Sequence, residues 1–214
     1  MRFIRRQNQE RNMPDNSTSS PPLFEAITAL RGLKERSRAG WLLRGVKNVE
    51  SVADHSWRAG IIAYVLAPEG YDREKMLRMG VLHDISEIND RDYTPLDGIS
   101  KEEKEKREQI AVESFLKTIP EPQRSEWREL NDEFEARETK ESKFVKEVEV
   151  LEMVFQALEY ENDKNYEKHL TEFLMSTEKR ITIPVLKEYW NEIKKRWPKK
   201  ALEEYDPTQY KYHY

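Results

Sequence analysis

From Ser142 to Tyr160 the chain is apolar around most of the circumference of a helix, through Phe144, Val145, Val148, Val150, Leu151, Val154, Phe155 and Leu158. A helix with one apolar stripe can lie on a surface, but one that is apolar on most sides has to be surrounded. This segment therefore reads as a central helix, and the rest of the chain must supply the elements that wrap it. Glu149 and Glu152 are the anomalies within it, because ionisable groups are rarely buried without a partner.

The wrapping elements also read as helices. Leu23, Phe24, Ile27 and Leu30 recur at helical spacing before a loop, "SRAGWLLRGVKNVE". Ser51 and Asp54 form a Ser-x-x-Asp start, after which Val52, His55, Ala59 and Ile62 share a face. A third helix begins after Asp72 and aligns Met76, Met79, His83 and Glu87 at i, i+3, i+7 and i+11. The pattern fails in "DRDYTPLDGI" and resumes at Ser100, whose capping partner Glu103 opens a charged helix that turns apolar at Ile110, Val112 and Phe115. Pro120 and Pro122 start another, with Trp127, Leu130 and Phe134 as its stripe. Tyr166, Leu170 and Phe173 mark a further helix, and Pro184 opens a last one through Leu186, Trp190, Ile193 and Trp197. With no strand-period segment, glycine-rich phosphate loop or internal repeat, the fold class is all-α, a helical bundle. The bundle is expected over residues 23–197, after a polar extension (1–22) and before a tyrosine-rich tail (198–214), in which His213 reads as a tail residue rather than a ligand.

Composition narrows the chemistry. The 214 residues include 37 basic and 41 acidic side chains, a net charge of −4, so no global field favours nucleic acid and any anionic ligand must be held locally. There is no cysteine, which removes disulfides, thiolate metal sites and cysteine nucleophiles together. No run approaches the ~18 apolar residues of a membrane span, and "MRFIRRQNQE" lacks a signal-peptide core; a cytoplasmic protein is expected.

Two helices point a histidine inward, His55 on one and His83 on the other, and His83 is followed by Asp84 and Glu87. Burying those carboxylates calls for a compensating cation, and no Lys or Arg is spaced to serve within the helix. A divalent metal would serve, and this mixed nitrogen and oxygen set suits Mn, Fe, Co, Mg or Zn, with geometry rather than ligand identity choosing among them.

His55, the adjacent pair His83-Asp84 and an acidic residue on a late helix resemble the H…HD…D signature of the HD-domain phosphohydrolases, most closely the 5′-deoxynucleotidase subgroup. The resemblance runs from about Phe24 to Trp197 and includes "GWLLRGV", "ESVADHSWR", "LHDISE", Asp92 to Pro95, "KFVKEVEVLEM" and "QALEYE". It implies an HD-domain helical bundle in which His55, His83, Asp84 and Glu149 bind one divalent metal. It also implies that Glu87, the HDxxE glutamate, acts on the attacking water, and that Asp92 lies near the sugar and the leaving oxygen. Trp41 matches a loop aromatic beside the sugar, and Arg38 and Arg44 flank it as phosphate-binding candidates. The implied activity is hydrolysis of (deoxy)nucleoside 5′-monophosphates to nucleoside and phosphate, by an enzyme that pairs as a homodimer and needs neither nucleic acid nor membrane.

One position departs from the pattern: Glu149 stands where the family has aspartate. The extra methylene moves the carboxylate by about 1.5 Å. Either the helix or rotamer adjusts and Glu149 still ligates, or the site is loosened and the chain is a weak enzyme or a non-catalytic metal and nucleotide binder. The presence of Glu87, useful chiefly for chemistry, favours the first. A related phosphohydrolase acting on nucleoside triphosphates or an unusual nucleotide is the other alternative.

Overall fold

The computed structural model describes residues 23–88, 94 and 97–209. The N-terminal extension, Asp92 and His213 lie outside the described residues. The chain runs through α1 (Phe24–Ala29), α2 (Arg31–Glu35), α3 (Ala39–Leu42), α4 (Val52–Leu66), α5 (Arg73–Leu82), a 3₁₀ turn (Ile85–Ile88), α6 (Lys101–Leu116), α7 (Gln123–Ala136), α8 (Lys140–Asp163), α9 (Thr171–Thr177), α10 (Pro184–Arg196), α11 (Lys199–Glu203) and a terminal 3₁₀ turn (Pro207–Gln209). Among the described residues there is no strand, only an isolated antiparallel bridge between Ser37 and Ser51, and no helix is long and apolar enough to cross a membrane.

α8 is the central helix that its composition calls for. Phe144, Val145, Val148, Leu151, Val154 and Ala157 are wholly enclosed, and α4, α5, α7, α9 and α10 pack around it. Buried indoles find partners: Trp190 and Trp197 donate their Nε1–H to Thr177 and Thr171 hydroxyls, each at 3.1 Å. α4 opens with the expected cap, completed in both directions: Ser51 Oγ accepts from Asp54 N at 3.1 Å, and Asp54 Oδ2 accepts from Ser51 N at 2.9 Å. Further along, α4 meets α5 where Gly60 faces Gly80. A Cβ on Gly80 would stand 2.6 Å from Gly60 Cα, so the backbones come this close only because neither residue carries a side chain.

Several boundaries differ from the periodicity. α5 stops at Leu82, so His83 caps it and Glu87 lies on the separate 3₁₀ turn rather than on the same helical face. The apolar residues Ile85 and Ile88 cause the break: they turn into a second small core with Leu33, Val52, Val112 and Phe115, away from the α8 core that α5 covers. Tyr166 precedes α9, which starts only at Thr171, because the Glu161 carboxylate accepts the Leu170 amide at 2.5 Å and shapes a turn there. α10 is not the last helix. α11 follows, Ala201 is buried, and its carbonyl accepts from the Thr171 hydroxyl at 3.2 Å. The loop read between Ser37 and Glu50 contains the short helix α3.

Candidate metal centre

His55 sits on the inner face of α4, 1% exposed. Its Nδ1 meets the Glu152 carboxylate from α8, which has no exposed surface. A carboxylate that also receives Arg58 Nε at 2.6 Å can only accept, so His55 carries its proton on Nδ1 and turns a bare Nε2 inward. Arg58 is braced in turn by Gln156 Oε1 at 2.8 Å and by Glu159 at 2.9 and 3.1 Å. Burial works against an ionised Glu152, but His55 and Arg58 outweigh it and hold its pKa below the ordinary carboxyl value.

The second imidazole is set in the same way by backbone. At the end of α5 the Gly80 carbonyl has no helical partner and accepts from His83 Nδ1 at 2.8 Å, which again leaves Nε2 bare. Consecutive helical residues diverge by about 100°, yet here Asp84 Oδ2 lies 3.2 Å from His83 Nε2 and 3.8 Å from His55 Nε2. All three atoms are enclosed, none makes a hydrogen bond, and ligand atoms of the three residues lie within 4.8 Å of one another.

Such a group fits a divalent cation. Two imidazole lone pairs and a carboxylate oxygen facing one another in a dry site are costly without a positive centre, and both imidazoles have the outer hydrogen bonds that fix a metal-binding tautomer. Burial opposes a charged His83, but Asp84 and then Glu149 raise its pKa; burial likewise opposes an ionised Asp84, but His83, Arg38 and His55 hold it far below the carboxylate range.

The cluster opens on a cleft of about 620 Å³ whose wall includes Arg38, His83, Asp84, Glu87, Lys146 and Glu149, with the rest drawn largely from α6 and α7. The Ser37–Ser51 bridge, with Arg38 N donating to Glu50 O at 3.1 Å, brings Arg38 beside the start of α4, where its guanidinium lies 3.5 Å from Asp84. Glu87 is buried on the 3₁₀ turn and faces the same space. Glu149 lies on the cleft wall but is not among the three clustered donors: its Oε2 is 2.8 Å from Lys146 Nζ one turn away. Burial opposes its ionisation, but Lys146 and His83 prevail and bring its pKa to about 2.

Two of the substrate-binding candidates lie elsewhere. Trp41 is 2% exposed in the main core, packed against Phe173 and Tyr160 with ring centroids 4.4 and 5.5 Å away, and it donates Nε1–H to Glu50 at 2.8 Å. Glu50 also comes within 4.8 Å of His55 and Glu152; burial and then the Glu152 charge raise its pKa to about 7, against the Trp41 hydrogen bond. Arg44 forms an ion pair with Glu172 that is nearly closed to solvent, and its carbonyl accepts from Glu167 and Lys168. Neither Trp41 nor Arg44 lines the cleft. Sequence reasoning missed the role of Glu152, although its presence on an otherwise apolar helix was the available signal. Nothing in the pattern singled out Arg58 or Lys146.

Fold and donor set together define an all-α bundle built around a candidate divalent-metal site. The chain belongs to the HD domain family, whose model matches residues 30–190. It is similar to 5′-deoxynucleotidase HDDC2 of Mus musculus, with 34% identity over 178 residues, covering 83% of this chain and 89% of the mouse protein. It is also similar to 5′-deoxynucleotidase hdd1 of Schizosaccharomyces pombe, with 36% identity over 182 residues, 83% of this chain and 91% of the yeast protein. A crystal structure of a Pyrococcus horikoshii OT3 protein superposes with a TM-score of 0.67 at 28% identity, over 80% of this chain and 98% of that one.

Proposed function

We propose that the protein is a divalent-metal-dependent phosphomonoesterase that releases phosphate from deoxynucleoside 5′-monophosphates. The observation that carries this reading is the enclosed trio of His55 Nε2, His83 Nε2 and Asp84 Oδ2, unsatisfied by hydrogen bonds at the edge of a cleft of nucleotide size. The relatives named as 5′-deoxynucleotidases, matched over most of their length, support the substrate class.

In this reading His55, His83 and Asp84 would hold the ion, with Glu149, on release from Lys146, as the candidate fourth donor. When bound, the ion would supply Lewis-acid chemistry. Glu87 orients the attacking water and takes its proton. Arg38, whose planar fork matches two phosphoryl oxygens, turns from Asp84 to the substrate. Asp92 assists departure of the 5′-oxygen. No covalent nucleophile is required, since phosphoryl transfer is driven mainly by position and electrostatics. A homodimer is part of the same proposal, and sedimentation equilibrium on the full chain tests it.

Metal-stripped protein reloaded separately with Mn²⁺, Co²⁺ and Mg²⁺, and offered dAMP, AMP and dATP, tests the activity through phosphate release. Turnover of dAMP well above AMP and dATP is expected. Turnover of dATP alone would move the chain to triphosphate hydrolysis, and silence of folded protein with every metal would make it a binding protein.

A further inference from the structure

A phosphate monoester entering this cleft brings close to two negative charges into a space that already holds Asp84, Glu87 and Glu149. A divalent ion held by His55, His83 and Asp84 together with Arg38 supplies three positive charges against about five negative ones, and Arg38 already faces Asp84 at 3.5 Å. The second arginine expected from the sequence, Arg44, is committed to Glu172 outside the cleft. A further cation is needed close to the reacting centre.

Lys146 is placed for this. Its Nζ lies 5.0 Å from the centre of the Phe134 ring, and that ring packs against the His83 imidazole with centroids 5.5 Å apart. The ammonium is therefore stationed by a cation–π contact on the aromatic that also backs a candidate metal ligand. Among the described residues its ion-pair partner is Glu149, three residues along α8, and that pair is partly open to solvent, with the two side chains 26% and 20% exposed. Because the pair is partly open to the cleft, an entering dianion can reach the ammonium and replace Glu149 as its partner. Lys104, Arg137 and Arg180 also line the cleft, and Glu149 acts on Arg180 as well; of these cations Lys146 is the one that, among the described residues, a ring contact ties to His83.

We infer that Lys146 is a substrate-binding residue, a phosphate clamp held in readiness by Glu149 and Phe134, which transfers its ammonium from the Glu149 carboxylate to the phosphoryl oxygens when substrate enters. Release of Lys146 also frees Glu149 to turn toward the cation that His55, His83 and Asp84 would hold. The inference rests on the phosphomonoesterase reading and deepens it.

Lys146→Met keeps the aliphatic stem over Phe134 and removes the charge; Lys146→Arg keeps the charge. In the full-length, metal-loaded protein, Lys146→Met is expected to raise KM for the deoxynucleotide, and the inhibition constant of inorganic phosphate, by roughly tenfold or more, as loss of one charged hydrogen bond predicts. The change in kcat should stay within about threefold. Affinity for the metal alone, titrated calorimetrically, should not weaken, and Lys146→Arg should recover most of the phosphate affinity. An unchanged KM and phosphate inhibition constant in folded Lys146→Met would overturn the inference, as would a loss confined to metal affinity, which is the mark of a merely structural charge. If the parental protein releases no phosphate from any nucleotide, the functional reading fails by itself. Calorimetric titration of inorganic phosphate into the Mg²⁺-loaded parent and Lys146→Met then decides Lys146 separately: weaker binding in the variant supports the clamp, and equal or absent binding in both refutes it.

Discussion

Replacing Glu152 by glutamine should change the metal affinity of a residue that Glu152 itself does not share with the ion. The carboxylate stands behind His55, accepting from Nδ1 on one side and from Arg58 Nε, at 2.6 Å, on the other. An amide has the same shape but only one accepting end. If its oxygen stays with Arg58, its NH₂ faces His55 Nδ1, which must then accept, and the imidazole proton moves to Nε2. That is the atom facing His83 and Asp84. If the amide turns over, His55 keeps its tautomer but Arg58 loses a partner, although Gln156 and Glu159 still hold the guanidinium at 2.8 and 2.9 Å. Both outcomes are penalised, and the first acts directly on the donor set.

Loss of such an outer partner costs about 10- to 100-fold in metal affinity, or about 1.4 to 2.8 kcal/mol. Competition against a chromophoric chelator measures the dissociation constant, and long-range ¹H–¹⁵N spectra of the histidine rings report the tautomer in the metal-free protein. Folding is checked by thermal denaturation, where a loss of no more than about 3 kcal/mol is expected for a buried charged hydrogen bond. A folded Glu152→Gln variant that binds metal within twofold of the parent, with His55 still protonated on Nδ1, would refute the reasoning.

Three further outcomes follow from particular contacts. Glu149→Gln keeps the size but not the charge; if Glu149 leaves Lys146 to become the fourth ligand, metal affinity falls by roughly tenfold or more, and an unchanged dissociation constant would show a three-residue site. Gly80→Ala places a Cβ 2.6 Å from Gly60 Cα and 2.8 Å from Gly60 N, both backbone; it should cost about 2 to 3 kcal/mol and lower Tm by several degrees, and it should weaken metal binding because the Gly80 carbonyl orients His83. A scan showing no loss of Tm would contradict the close helix crossing. Glu50, with a folded pKa near 7 against an ordinary 4.5, retains its proton in the folded state when the unfolded chain has lost it. Its destabilising contribution therefore grows as pH rises from 4.5 and is complete above 7, so Glu50→Gln should be more stable than the parent at pH 8 by about 1 to 3 kcal/mol. The difference should vanish near pH 4.5 in urea titrations; equal stability at pH 8 would rule the account out.

The all-α class and the central position of α8 were legible because full-circumference burial has no other solution, and because the Ser51 cap and the helix beginning at Pro184 follow from local chemistry. His55, His83, Asp84 and Glu87 could be named from residue type and spacing; the first three meet in space, and Glu87 lines the adjoining cleft. The break after Leu82 was not legible, because "VLHDISEI" carries a helical period right through it. Tertiary packing decides that boundary: Ile85 and Ile88 satisfy a helix pattern equally well while belonging to a different core from α5. Trp41 and Arg44 show the converse limit. A motif match conveys that a residue type is kept near a site, but the direction of its side chain depends on partners far along the chain, here Phe173 and Glu172.

α8 explains how one helix can serve both sides of the candidate metal site. Residues three apart on a helix are separated by about 4.5 Å along the axis and about 60° around it. Glu149 and Glu152 are therefore neighbours that look in different directions. Glu152 reaches behind His55 and fixes its proton, while Glu149 reaches the cleft, where Lys146 holds it. Both carboxylates can be buried because each meets a cation or a cationic-competent ring: Arg58 and His55 for one, Lys146 and the field of His83 for the other. Spacing by two would turn one of them into the Leu151 and Val154 core. The i, i+3 register lets a single rigid element hold the His55 ring from behind and present Glu149 to the cleft.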